Sequence, residues 1–276
     1  MSLKFSKMHG LGNDFVLIDA INQKVNMTAS LAQAIADRRF GVGCDQILLV
    51  ESPNTQGAEF SYRIFNRDGS EVSQCGNGAR CFAKYVSNKG LTQNTRISVS
   101  TLAGQLELTL EKTGLITVNM GAPIFTLSAI PFIAGQVANS YSIEIGSKTL
   151  TANILSLGNP HAIFQVDDVA LAEVTRIGSS LQSHDRFPKQ VNVGFMQVLD
   201  RNNFKLRVFE RGAGETPACG SGACAALVAG IMLDIIDTQA TGHLPGGELT
   251  LSWRGQGHSV FKTGPAEFVY DGIWTR

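Results

Sequence analysis

Two cysteines stand in nearly the same local sequence: Cys75 in QCGNGARC and Cys219 in ACGSGACA. In each, a strand-like stretch leads into a Gly-containing loop, then the cysteine, then Gly-x-Gly and a helix-forming run. Glycines let backbone N–H groups approach a ligand, and a helix N-terminus adds positive partial charge. Both effects favour an anion, so this setting is expected to lower a thiol from its free pKa of about 8.5 and make thiolate available near neutral pH. One such cysteine suggests a nucleophile or a redox centre. Two related ones suggest proton transfer on both faces of one carbon: a thiolate removes a proton from one side and a thiol delivers one to the other. The two helix starts would stabilise the enediolate of a carboxylate-bearing substrate.

The similarity extends beyond the cysteines. Phe65–Ala79 lies over Phe209–Ala223 without a gap and agrees at 7 of 15 positions, an offset of 219 − 75 = 144 residues. Unrelated segments agree at about one such position. Gly12-Asn13 recurs as Gly158-Asn159, 146 residues later. The chain therefore reads as two homologous halves that meet near Gly121-Ala-Pro123.

Period-two alternation predicts strands at 15–18, 46–50, 60–65, 96–101 and 105–110. The second half offers 142–145, 162–166, 194–199, 204–209 and 248–253, with a hairpin turn at Asp200-Arg-Asn-Asn203. Helices are predicted over 28–38, with Thr28 as N-cap, over 169–182, and after each of the two cysteines. The run Cys224–Leu233 is apolar on every face, as a buried central helix requires. The fold class that follows is α+β: two pseudosymmetric domains from an internal duplication, each a curled, mainly antiparallel, barrel-like sheet around a central helix.

The 276 residues are enough for two domains, with 43% hydrophobic and 17% charged residues. The 23 basic residues balance 23 acidic ones and form no run, which argues against nucleic acid as a partner. No apolar segment approaches the ~20 residues of a membrane span, and the first residues lack a signal-peptide pattern. A cytoplasmic location is expected. Five cysteines without an export signal argue for reduced thiols. Cys44, Cys81 and Cys224 read as small buried hydrophobes, and the absence of a CxxC pair argues against zinc. His184, His243 and His258 read as surface residues.

At HGLGNDF, FGVGCDQ, FNRDGSEVSQCGNGARC, LGNPHAIF, NVGF, FERGAGETPACGSGACA and EFVYDG the sequence resembles the diaminopimelate epimerase family. The resemblance runs from Met8 to Gly272. It implies an epimerase of lysine and peptidoglycan precursor synthesis that interconverts LL- and meso-diaminopimelate without pyridoxal phosphate. It implies domains 1–120 plus 264–276 and 121–263, with the C-terminal strand returning to the first half. Cys75 and Cys219 would be the acid/base pair, with His161 and Glu210 tuning the thiols. Substrate contacts would come from Asn13, Gln46, Asn66, Asn159, Asn192 and Arg211. The N–H groups of Gly76, Asn77, Gly220 and Ser221 would hold the reacting carboxylate. Neutral amides can serve ammonium and carboxylate alike, while Arg211 can grip a distal carboxylate bidentately. No phosphate-loop or dinucleotide fingerprint occurs, so neither cofactor nor metal is expected. The resemblance also implies a homodimer, with Tyr270 near the contact. Other readings are a proline-racemase-like or phenazine-pathway isomerase and, from a different class, a non-catalytic thiol sensor. Deuterium uptake at an amino acid's α-carbon separates an epimerase from a sensor.

Overall fold

The computed structural model describes residues 2–73 and 75–275; Gln74 of the first cysteine motif lies outside the described residues. The chain divides into two compact units, Met1–Asn119 with Thr263–Arg276, and Met120–Lys262.

In the first unit, strands β1 (Ser2–Gly10), β2 (Asn13–Asp19), β3 (Gln46–Glu51) and β4 (Phe60–Asn66) follow one another in the sheet. The β2–β3 pair is parallel and its neighbours are antiparallel. One edge of β4 divides between the short β5 (Glu71–Val72) and a parallel partner, β6 (Arg96–Thr101). Strands β7 (Gly104–Leu110) and β8 (Ile116–Asn119) complete that side. Helix α1 (Ala29–Ala36) packs outside on β3 and β4, while α2 (Gly76–Asn88) touches β1, β2, β3, β7 and β8. A helix that contacts strands from both ends of a sheet requires the sheet to curl around it.

The second unit repeats this plan strand for strand. Strands β9 (Tyr141–Ile145), β10 (Lys148–Ser156), β11 (Pro160–Gln165), β12 (Asn192–Asp200) and β13 (Asn203–Glu210) are neighbours in that order. Here the parallel pair is β11–β12. One edge of β13 again divides, between the short β14 (Gly214–Thr216) and a parallel β15 (Gln239–Leu244), which then pairs with β16 (Gly247–Trp253). Helix α3 (Val174–Gln182) lies outside, and α4 (Gly220–Met232) contacts β10, β11, β12, β13, β15 and β16. Strand β17 (Val260–Gly264) follows, and β18 (Glu267–Thr275) lies antiparallel on β1 where the second unit has β9 on β10. The first unit thus takes its outermost strand from the far end of the chain, a circular permutation of the shared plan.

The sequence pattern explains the layers. In α4, Ala223 through Val228 are buried without a break, so the helix is enclosed on every side. Strand β3 is buried at four consecutive positions, Ile47–Val50, because α2 covers one face and α1 the other. The outer face carries its own core of Val16, Ile18, Ile35, Leu49 and Phe65. Fully burying each such aliphatic or aromatic side chain contributes roughly 1.5–3 kcal/mol. Among the described residues no helix is long and apolar enough to cross a membrane.

Several expectations need correction. The helix expected over 169–182 forms only from Val174, because Asp168 caps a turn through Ala170 N. Thr28 does cap α1, its Oγ1 accepting from Leu31 N at 3.2 Å, but that helix stops at Ala36, and the Asp37 carboxylate then caps a turn at Arg39 and Phe40. His184 and His243 are half-buried rather than surface residues: His184 Nε2 meets Glu144 O at 3.0 Å, and His243 lies between Glu248 and Asn203. Strands β1, β10 and β17 were not predicted, since each carries polar residues that the fold buries, such as Ser6, Asn153 and Lys262.

Candidate active site

In the first unit Gly10 pairs with Asn13 across the two-residue turn Leu11-Gly12. Both turn residues have positive φ, +57° and +85°, as a type I′ hairpin turn requires. Leu11 adopts this left-handed conformation without glycine's freedom, at a cost of order 1–3 kcal/mol, and the turn delivers Asn13 to the start of α2. There Cys75 is the N-cap, with extended backbone, and its Sγ accepts from Gly78 N at 3.4 Å. Asn13 Oδ1 lies 3.8 Å from Cys75 Sγ and 3.4 Å from Asn77 Nδ2. Gln46 Nε2 donates to Asn66 Oδ1 at 2.9 Å, while Gln46 Oε1 is buried with no hydrogen-bond partner among the described residues. Tyr62 donates to the Cys75 carbonyl at 3.4 Å. A Cβ on Gly78 would overlap that hydroxyl, so the helix start can seat here only as glycine.

The second unit assembles the same pieces with different chemistry. Cys219 is the N-cap of α4, and its Sγ lies 3.7 Å from Ser221 Oγ. Asn159 Nδ2 donates to Ser221 Oγ at 3.3 Å, and Asn159 Oδ1 meets His161 Nε2 at 2.9 Å. Asn192 Nδ2 donates to Pro160 O and its Oδ1 accepts from Arg211 N, each at 3.0 Å. Thr216 donates to Glu210 Oε1 at 2.5 Å. Arg211 is exposed, with Nη1 donating to Lys189 O at 3.2 Å. The ladder shows what the duplication changed. His161 stands opposite Asn192 where Phe15 stands opposite Gln46, and in the repeat alignment Glu210 takes the place of Asn66.

Electrostatics follow from that change. The Cys219 thiol is pushed well above its ordinary pKa, first by burial and then by the Glu210 charge, while the Gly222 N–H and Ser221 pull weakly the other way. This overturns, for Cys219, the expectation that a helix start lowers the thiol: at 3% exposure beside a carboxylate, desolvation outweighs the helix terminus. His161 is fully buried and falls to about 3 through burial and the Arg211 charge, so its ring is neutral. It reaches Ser221 through Asn159 and therefore orients groups near Cys219 rather than carrying charge. Cys44, Cys81 and Cys224 are buried, and burial lifts Cys44 and Cys81 to about 12.

Asn13, Cys75, Gly76 and Asn77 thus gather at one helix start, and Gln46 and Asn66 are joined to each other on β3 and β4 of the same unit. Asn159, His161, Asn192, Glu210, Arg211, Cys219, Gly220 and Ser221 gather at the other. Tyr270 is 46% exposed on β18, with its ring edge-on to Phe5. Sequence reasoning missed Asp45, which accepts from Asn13 Nδ2 at 3.0 Å, and Thr216, which holds Glu210. Asp45 had a signal, its place beside Gln46 in FGVGCDQ; Thr216 had none.

Solved structures share this architecture. A hydroxyproline epimerase from Agrobacterium vitis with bound trans-4-hydroxy-L-proline matches with TM-score 0.69 at 13% identity, over 99% of this chain and 92% of that one. A phenazine biosynthesis protein of the PhzF family from Bacillus anthracis matches with TM-score 0.71 at 17% identity, over 99% of both chains. A methylitaconate-delta-isomerase matches with TM-score 0.68 at 10% identity, over 99% of this chain and 95% of that one. At these identities the likeness establishes the fold. The family is established by sequence: the diaminopimelate epimerase model matches residues 5–126 and 154–269, which carry both helix starts, and the chain belongs to the diaminopimelate epimerase family.

Proposed function

We propose that this protein interconverts LL- and meso-diaminopimelate by two-thiol proton transfer at the α-carbon, without pyridoxal phosphate or metal. The observation that carries the reading is the duplicated helix start, an N-cap cysteine followed by Gly-x-Gly and approached by the asparagine of a Gly-Asn pair, in both units. One thiol takes the α-proton while the other delivers a proton to the opposite face, and the roles exchange in the reverse direction. Burial and Glu210 keep Cys219 protonated, which suits it to begin as the donor.

The N–H groups of Gly76, Asn77, Gly220 and Ser221 bind the reacting carboxylate and stabilise the enediolate. Asn13, Gln46, Asn66, Asn159 and Asn192 orient the ammonium and carboxylate groups. Arg211, exposed and tethered through its N–H and Nη1, takes the distal carboxylate. That demand for a second carboxylate favours diaminopimelate over a small cyclic amino acid. Such an enzyme works in the cytoplasm, in lysine and peptidoglycan precursor synthesis.

The working form is a homodimer joined through β18, which pairs with β1 and exposes Val269, Tyr270 and Ile273. Incubating LL-diaminopimelate with the protein in D₂O should give the meso form with deuterium at one α-carbon. No deuterium uptake would refute an epimerase, and uptake from proline in preference to diaminopimelate would refute the substrate.

A further inference from the structure

Asn13 presents its amide oxygen, not its amide nitrogen, to Cys75, and the reason lies on its other side. Asp45, as a carboxylate, only accepts hydrogen bonds, and its Oδ2 lies 3.0 Å from Asn13 Nδ2. The amide must therefore turn its NH₂ toward Asp45, which leaves Oδ1 facing Cys75 Sγ at 3.8 Å and Asn77 Nδ2 at 3.4 Å.

Asp45 is itself held from three sides. Its Oδ1 accepts from Arg38 Nη2 at 2.7 Å, its Oδ2 also accepts from Asp14 N at 3.1 Å, and its own N–H donates to Asp14 Oδ1 at 2.9 Å. Asp14 in turn binds Arg38 through two hydrogen bonds and the buried Lys7 at 2.6 Å, and Lys7 also donates to the Gly43 carbonyl. Lys7 on β1, Asp14 on β2 and Arg38 after α1 thus fix the carboxylate that orients the Asn13 amide.

We propose that Asp45 is a positioning residue for Cys75, fixing the Asn13 amide so that a carbonyl oxygen receives the S–H proton. This rests on the two-thiol reading above. An oxygen there holds the proton on sulfur and opposes the bare anion, so a thiolate at this position captures the α-proton readily. A flipped amide would place an N–H against the sulfur, stabilise the anion and weaken the base. Among the described residues Tyr62 on β4 and Cys81 on α2 interact electrostatically with this thiol, Arg80 on α2 bonds Asn77 and acts on Cys81, and Asp45 reaches the sulfur through Asn13.

The test isolates each thiol. In a Cys219→Ser background only Cys75 can act, and in a Cys75→Ser background only Cys219 can. Each is assayed for elimination from a β-substituted diaminopimelate analogue, where the thiolate removes the α-proton and the leaving group departs with its electron pair. Adding Asp45→Ala should lower kcat about tenfold more in the first background than in the second, the effect of one misplaced hydrogen bond. KM should rise in both, since Asn13 also contacts substrate. Asp45→Asn, which keeps the shape but can donate as well as accept, should give a smaller change of the same sign and covers the case in which alanine unfolds the protein. Equal kcat losses in both backgrounds, or none in either, would overturn the role of Asp45 alone. No elimination by either single-cysteine protein with Asp45 intact would overturn the two-thiol reading and this role with it.

Discussion

Asn159 donates to Ser221 across 3.3 Å, and the residues that occupy the same places in the first half, Asn13 and Asn77, are joined at 3.4 Å with the polarity reversed. In the second half the asparagine gives its N–H to the residue two beyond the cysteine; in the first it receives one. The reversal has a cause in each case. His161 Nε2 occupies the oxygen of Asn159, whereas Asp45 occupies the nitrogen of Asn13. One ancestral contact has become two, so the two thiols meet different dipoles although their backbones match.

That difference bears on the thiols one at a time. Cys75→Ser and Cys219→Ser should each abolish epimerisation, a loss of roughly 10²–10⁴-fold in kcat, because a hydroxyl is too weak an acid to replace either thiol. Each single mutant should still eliminate a leaving group from a β-substituted analogue, and the two should prefer opposite stereoisomers. Chiral analysis of the residual analogue checks this, and near-native epimerisation by either mutant refutes the mechanism.

Glu210 offers a pH test. Its charge and hydrogen bond add to burial in raising Cys219, so Glu210→Gln should let that thiol ionise at lower pH. The alkaline limb of kcat/KM, where the required thiol is lost, should move to lower pH while the acid limb stays. The limbs belong to the thiol pair, so both are read from the full bell-shaped profile. An unmoved alkaline limb would mean that Glu210 does not act on Cys219.

Much of this arrangement was legible in the sequence because duplication leaves a repeat that survives substitution. Cys75 and Cys219, with their Gly-x-Gly helix starts, could be read from one gapless match, and the Gly-Asn echo from a change of offset. The change from 146 to 144 falls between the Gln46/Asn192 and Phe65/Phe209 pairs, where the loop 52–59 corresponds to the tight turn at Arg201-Asn202. Less was legible where packing decides. That Cys219 is raised by burial needs the 3% exposure, and periodicity gives no such number. His161 reads as a titrating group by type, yet the fold seals it where the first half has Phe15, fully buried in its own unit.

The glycines at the third helical position make a stability prediction. Gly78 abuts the Tyr62 hydroxyl, and a Cβ on Gly222 would lie 3.1 Å from Val208 Cγ2 and 3.2 Å from Cys219 Sγ. Gly78→Ala has no room and should cost about 1–3 kcal/mol, as overpacking usually does. Gly222→Ala presses on a thiol that can rotate, so its stability cost should be smaller and its loss of activity larger. Denaturant melts paired with turnover distinguish the two, and equal costs at both sites would contradict the packing described.

Burial of His161 makes the second unit less stable in acid. Its folded pKa is depressed to about 3 while the unfolded chain keeps the ordinary value near 6.5, so between these pH values the unfolded state binds a proton that the folded state refuses. The stability it contributes is fully present above pH ~6.5 and declines as pH falls toward 3, with a limiting slope of about 1.4 kcal/mol per pH unit. His161→Phe, which copies the residue that the first half uses at this place, removes the titration and should flatten the fall by up to that slope. The same change leaves Asn159 Oδ1 without its Nε2 partner, so activity should drop at pH 7 even where stability does not. Urea melts of both proteins between pH 4 and 7.5 give the comparison directly. Parallel stability curves would show that His161 takes up its proton in the folded state and that the pocket around it admits charge.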